Sequence, residues 1–120
     1  MSGGVKRATR VAERLREELA TAVRNLGDPR VAGVLVARTE ITDDLQSAKV
    51  YVRHELGADA AEQKAMLKGL DAASGRLRRA AAEALKLRYA PTLRFYYDDT
   101  QDALQRIEEL LREVKRDSGG

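Results

Sequence analysis

The segment "LDAASGRLRRAAAEALKLRYAPTLRFYYD", Leu70 to Asp98, decides the fold. It is rich enough in alanine, leucine and arginine to make one unbroken helix up to Pro91, yet a Ser74-Gly75 pair interrupts it. A glycine inside a helix costs about 0.8–1 kcal/mol relative to alanine, and Gly/Ser pairs are among the few identifiable sites of sharp helix kinks. The break predicts two consecutive helices meeting at an angle near Gly75, with glycine in a backbone conformation that a residue with a β-carbon adopts poorly. The second helix is read from about Arg76 to Lys86, with Leu77, Ala80, Ala81, Ala84 and Leu85 on its inner side and Arg76, Arg79 and Lys86 pointing away. Pro91 closes it. "TLRFYY" then reads as a strand with Leu93, Phe95 and Tyr97 inward, which leaves Tyr96 as the exposed ring, available to stack on a base.

Upstream, a helix is expected from about Val5 to Leu26, because Val11, Leu15, Leu19, Ala22, Val23 and Leu26 recur on one face with Arg7, Arg10 and Arg14 beside it. Gly27 and Asp28-Pro29 stop it. Its basic start resembles a targeting or membrane-surface helix, but the apolar stripe runs on past Glu17 and Glu18, as in a helix that belongs to the fold. "VAGVLVARTEIT", Val31 to Thr42, is rich in β-branched residues, "DDLQS" makes a turn, and "AKVYVRHEL" alternates Ala48, Val50 and Val52 with Lys49, Tyr51 and Arg53. These predict a β-hairpin with one buried face. Asp59 and Glu62 stand at capping-box spacing and open the helix that runs to the break. A last helix, capped at Asp99 or Thr100, is expected to bury Leu104, Ile107, Leu110, Leu111 and Val114. Residues 1–116 then form one α+β domain around a three-stranded sheet, in the order α-β-β-α-α-β-α, with 117–120 a disordered tail.

At 120 residues the chain suffices for one core without covalent staples. Its apolar residues come in short periodic runs, with no stretch of about 20 to cross a bilayer and no apolar core of a secretory signal, so cytoplasm is the default expectation. The lack of cysteine excludes disulfides and thiolate zinc sites, and a single histidine, His54, argues against a histidine-built metal site. Asp43-Asp44 and Asp98-Asp99 could hold a divalent ion for phosphoryl chemistry, but each lies at a turn or helix start, where aspartate is favoured for capping. His54 has no nucleophile or second histidine at motif spacing, and neither a Walker loop nor a dinucleotide fingerprint is present. No catalytic residue, metal or cofactor is expected.

Charge is unevenly spread. Residues 1–16 carry Lys6, Arg7, Arg10, Arg14 and Arg16 against Glu13, and residues 74–94 carry Arg76, Arg78, Arg79, Lys86, Arg88 and Arg94 against Glu83. Residues 95–120 carry seven acids against four bases. Segregated basic zones suit a polyanion such as RNA better than a small acidic substrate, the plain alternative being a solvated, arginine-heavy surface. A protein-interaction module working through the acidic last helix is the rival from another class.

Without its last helix, this order is that of a type II KH domain, in which a helix-turn-helix packs on a three-stranded sheet and nucleic acid passes along the turn. The ordered set "RVAE" (Arg10 to Glu13), "DPR" (Asp28 to Arg30), Asp44-Leu45 leading into "AKVYV" (Ala48 to Val52), "ASG" (Ala73 to Gly75) with Arg78, "LKLR" (Leu85 to Arg88), then Pro91, Leu93, Phe95 and Asp98 resembles the ribosome-binding factor A family. The likeness covers about Arg7 to Val114. After Asp98, where the family often has glycine, this chain reads "DTQDALQRI". The resemblance implies a KH-like domain whose usual GxxG loop is replaced by an interhelical kink, here Ala73-Ser74-Gly75. It also implies binding to the free or immature 30S subunit, assistance to 16S rRNA processing near its 5′ end, and departure before translation, with a small-subunit-associated GTPase as release partner. On that reading Arg7, Arg10, Arg14, Ser74, Gly75, Arg76, Arg78, Arg79, Lys86 and Arg88 are the RNA contacts of a monomeric protein. A kink in place of the loop keeps a helix start and its arginines while shortening the connection, which suits a grip on phosphates with little base reading.

Overall fold

A 23-residue helix, α1 (Ser2–Arg24), opens the computed structural model, which describes residues 2–119. Ala8, Leu15, Leu19 and Val23 form its buried stripe. Asn25 and Leu26 tighten the last turn by donating to the carbonyls of Ala22 and Val23, and Gly27, at φ +72°, turns the chain away in a conformation that favours glycine.

Val31, which the sequence reads as the first residue of a strand, instead closes a single 3₁₀ turn, Pro29–Val31. Asp28 accounts for the difference. Its carboxylate accepts from the Arg30 backbone N–H at 2.9 Å and pairs with the Arg30 guanidinium at 2.7 Å, while Pro29 supplies the φ of a first helical position. Both contacts with Arg30 favour the ionised form and hold the Asp28 carboxyl below its ordinary pKa, the side-chain bond most.

The sheet is mixed, in the order β1-β2-β3. β1 (Val34–Ile41) runs antiparallel to β2 (Ser47–His54), with a bulge between Val36 and Arg38, and β2 runs parallel to β3 (Thr92–Tyr97). Parallel neighbours need a crossover. Here two helices make it, α2 (Ala60–Ala72) and α3 (Ser74–Leu85). The expected capping box opens α2: Glu62 N–H donates to Asp59 Oδ1 at 2.8 Å and Asp59 N–H to Glu62 Oε1 at 3.1 Å. α1, α2 and α3 all lie on one face of the sheet, where Leu15, Leu19, Val50, Val52, Met66, Leu70, Leu77, Leu93 and Phe95 share a single core. The element order and the α+β, KH-like class are those expected.

Two expectations are corrected. The bend between α2 and α3 lies within the expected Ala73-Ser74-Gly75 kink but at Ala73 and not at the glycine: its φ of −92° and ψ of 2° interrupt the helix for one residue. Gly75 sits inside α3 with no positive φ, and a β-carbon on it would meet only Arg79 Nη1, at 3.6 Å. The second correction concerns α4 (Thr100–Gly119). Its stripe of Leu104, Ile107, Leu110, Leu111 and Val114 is 49–62% exposed and not buried, because three helices already occupy the inner face of the sheet. The radius of gyration, 17.4 Å, accordingly exceeds the roughly 14 Å of a compact chain of this length. The helical backbone continues to Gly119, past the expected domain end at residue 116, and Gly120 lies outside the described residues.

Packing does require glycine at Gly69, inside α2, where a β-carbon would stand 2.8 Å from Val31 Cγ1. Val31 is buried and stiff at χ1, so it cannot yield cheaply. Gly69→Ala is expected to cost about 1–3 kcal/mol, whereas Gly75→Ala should be neutral or stabilise by up to about 1 kcal/mol. Thermal unfolding of the two variants side by side checks both signs.

Candidate nucleic-acid interface

The helix that follows the bend begins without help. Ala73 offers no side chain to cap α3, and no side-chain hydrogen bond covers its first turn. The leading N–H groups of a helix have no partner of their own within it and carry the positive end of the helix dipole. Here that start is flanked by Gly75 and Arg76, both exposed, and Arg79 extends its Nη1 across the bare backbone at Gly75. Gly75 thus opens space at the surface, a role that needs no unusual φ.

Arg78 departs from the expected set. Its Nε donates to the Pro91 carbonyl at 3.0 Å and its Nη2 to the Ala90 carbonyl at 3.1 Å, and the side chain is half-buried. The guanidinium clamps α3 to the loop that leads into β3, so Arg78 is withdrawn from the contact surface. A helical wheel sets Arg78 on the flank that carries Leu85, about 100° from Arg79, but does not show what it reaches. Only Pro91, which has no N–H and leaves nearby carbonyls in need of donors, hints at the clamp.

The remaining basic residues converge. α1 packs along α3, and Arg7 lines a cleft of about 520 Å³ together with Lys86 and Arg88. The N-terminal half of α1 therefore lies beside the C-terminal end of α3, and the two zones that are distant in sequence meet at this cleft. Lys86 ends α3 at φ +53°, a left-handed position usually given to glycine or asparagine. Arg88 stands 5.4 Å above the ring of Tyr89, which is 60% exposed at the cleft. Arg7, Arg10, Arg14, Arg76, Arg79, Lys86 and Arg88 are all exposed, and none forms an ion pair among the described residues. Cations without partners repel one another across such a surface, and a polyanion relieves that repulsion.

Asp43 and Asp44 edge the same cleft. Asp44 Oδ1 accepts from the Thr42 hydroxyl at 2.6 Å and from Gln46 N–H at 3.0 Å, which shapes the β1–β2 turn and holds its carboxyl below the ordinary pKa, the hydroxyl bond most. Asp98 does the same at the start of α4: its Oδ1 takes the Thr100 N–H at 3.1 Å, and bonds from Thr100 lower its pKa. Both aspartates have the turn and cap roles expected of them. His54 is likewise structural. Nδ1 accepts from Leu56 N–H at 3.0 Å, which leaves the proton on Nε2 to donate to the Ala32 carbonyl at 3.1 Å.

Comparison with known proteins gives the family to which this fold belongs. The model of the family described as ribosome-binding factor A matches residues 7–111. The chain belongs to the ribosome-binding factor A family. A ribosome-binding factor A of Sorangium cellulosum is 69% identical over 121 residues, spanning 100% of this chain and 98% of that protein. Among solved structures, the crystal structure of the ribosome-binding factor A of Thermus thermophilus is similar at a TM-score of 0.66 and 26% identity, over 75% of this chain and 94% of the other. A Thermus thermophilus ribosome binding factor A homology model, fitted into a cryo-EM map of a 30S complex of that protein, is similar at a TM-score of 0.60 and 26% identity, over 72% of this chain and 90% of the other.

Within α3, the clamping Arg78 and the exposed Arg76 and Arg79 are separable by stability. Arg78→Ala strands two carbonyls and should cost about 1–3 kcal/mol. Arg76→Ala and Arg79→Ala should leave the thermal midpoint where it is, as scanning calorimetry of the three variants would read.

Proposed function

We propose that this protein is a non-enzymatic assembly factor that binds the free or immature small ribosomal subunit as a monomer in the cytoplasm and holds 16S rRNA near its 5′ end while that region matures. The observation that supports this reading is the packing of α1 along α3, which brings Arg7 into one cleft with Lys86 and Arg88, while seven exposed cations of this region form no ion pair among the described residues. Arginine dominates it, and its planar fork engages phosphate at two points where lysine offers a point charge. The uncapped start of α3 adds backbone donors beside Arg76 and Arg79.

Gripping by charge suits a factor that has to leave. Phosphate contacts made by exposed side chains release counterions on binding and weaken steeply with salt, so a competing surface or a conformational change in the rRNA dislodges them. On this proposal a small-subunit-associated GTPase supplies that change, and Ser74 and Gly75 lie where the RNA backbone comes nearest.

Sedimentation with purified subunits should place the protein with the 30S peak and not with assembled 70S ribosomes. In the same assay, replacing Arg76, Arg79 and Lys86 together by glutamine should weaken binding and flatten its salt dependence, the log–log slope falling by about 0.7–0.9 for each phosphate that is no longer engaged. Arg7→Gln with Arg10→Gln should act in the same direction. Unchanged slopes in both variants would place the binding surface elsewhere, and binding to naked RNA alone would make this a general single-strand binder.

A further inference from the structure

The sheet has a second face, turned away from the helices. Alternation along β2 and β3 sends Lys49, Tyr51, Arg53, Arg94 and Tyr96 there, and β1 adds Arg38 and Glu40 past its bulge. The register sets these side chains in rows. Arg38 pairs with Tyr51 and Tyr51 with Tyr96; in the next row Glu40 pairs with Lys49 and Lys49 with Arg94.

The first row is a stack. The Arg38 guanidinium carbon lies 3.8 Å from the centroid of the Tyr51 ring, and the Tyr51 and Tyr96 rings stack at 5.6 Å with 28° between their planes. Arg38 is itself held by Glu40 at 2.7 Å and approaches Asp98 at 4.0 Å, so its charge is spent in fixing Tyr51. The stack ends at Tyr96, which is 39% exposed on the edge strand. In the second row Lys49 and Arg94 form neither a side-chain hydrogen bond nor an ion pair among the described residues. Both line, with Tyr96, an open cleft of about 460 Å³.

We propose that this face is a second RNA surface, separate from α1 and α3, which stacks one unpaired base of single-stranded RNA on Tyr96 and holds the adjoining phosphate with Arg94 and Lys49. A ring fixed from behind by another ring loses little freedom when a base is laid upon it, and every base has a π-face to offer. The two unpartnered cations stand one register row from that ring, where a nucleotide's phosphate falls when its base stacks. An acidic peptide would satisfy the cations and leave the ring unused. The helical face grips phosphates from the other side of the sheet, so the two surfaces can hold different segments of one RNA.

The test is equilibrium binding of the full chain to a short single-stranded RNA, with photocross-linking of a 5-iodouridine version of the same oligonucleotide. Tyr96→Leu should bind about 5- to 100-fold more weakly, Tyr96→Phe should bind like the wild type, and Arg94→Gln should lose affinity most at low salt. The cross-link should map to Tyr96. Thermal melts of the variants separate weakened binding from unfolding, and Arg94→Gln touches no core residue. Wild-type affinity in both Tyr96→Leu and Arg94→Gln, with cross-links confined to α1 and α3, would overturn the proposal while leaving the helical surface standing. Loss of small-subunit binding in Tyr96→Leu with unchanged RNA binding would overturn it too, since the face would then dock a protein.

Discussion

Leu15 and Leu19 of α1, Leu70 of α2 and Leu77 of α3 close on Val50 and Val52 of the middle strand, and the rest of the molecule depends on that closure. All six are at most 1% exposed, and no polar side chain is buried among the described residues. Burying each of them is worth about 1.5–3 kcal/mol, so the three helices are held to one face of one sheet with little choice of position. Thr39 adds a direction to this adhesion by donating its hydroxyl to the Ala12 carbonyl, which ties α1 to β1. The consequence for function is geometric. Once α1 lies against α3, the charged flanks of both helices have to share a surface, although Arg7 and Lys86 are separated by most of the chain.

The bend at Ala73 completes that surface. A continuous helix from Ala60 to Leu85 would run about 39 Å and overshoot a sheet whose strands are at most eight residues long, or about 27 Å. Folding the segment in two returns it to β3 beside β2, and it exposes a helix start in the middle of the basic zone. Arg78 then locks the returning loop by taking the carbonyls of Ala90 and Pro91. The same short helix thus carries one arginine that holds the fold and two, Arg76 and Arg79, that stay exposed.

How far the sequence is legible follows from which forces are local. The periodicity of α1, the capping box at Asp59 and Glu62, and the alternation of β2 and β3 are local, and each is found where it is read. The 3₁₀ turn after Asp28 is local too, but β-branched Val31 masks it, because a strand propensity is weaker than a carboxylate that captures Arg30. The bend is read in the right tripeptide and assigned to the wrong residue of it: the cost of glycine in a helix marks the region, while the path of the chain over the sheet selects Ala73. The role of Arg78 depends on carbonyls twelve and thirteen residues away, which no helical wheel displays. The stripe on α4 fails for a tertiary reason. Amphipathicity shows that a helix has an apolar face and says nothing of whether the fold has room to cover it. Tyr97, whose hydroxyl donates to Asp102 at 2.9 Å, anchors the first turn of α4, and from Leu104 onward the helix leaves the domain.

The central claim is that α1 and α3 present one phosphate-gripping surface to the rRNA of the small subunit. A cryo-EM map of this protein bound to its own immature small subunit tests it most directly. The account requires the start of α3, with Gly75, Arg76 and Arg79, and the flank of α1 carrying Arg7, Arg10 and Arg14 to lie against rRNA phosphates, with Arg78 still on its two carbonyls. A map in which α1 and α3 face solvent, and the protein is held through α4 alone, would contradict it.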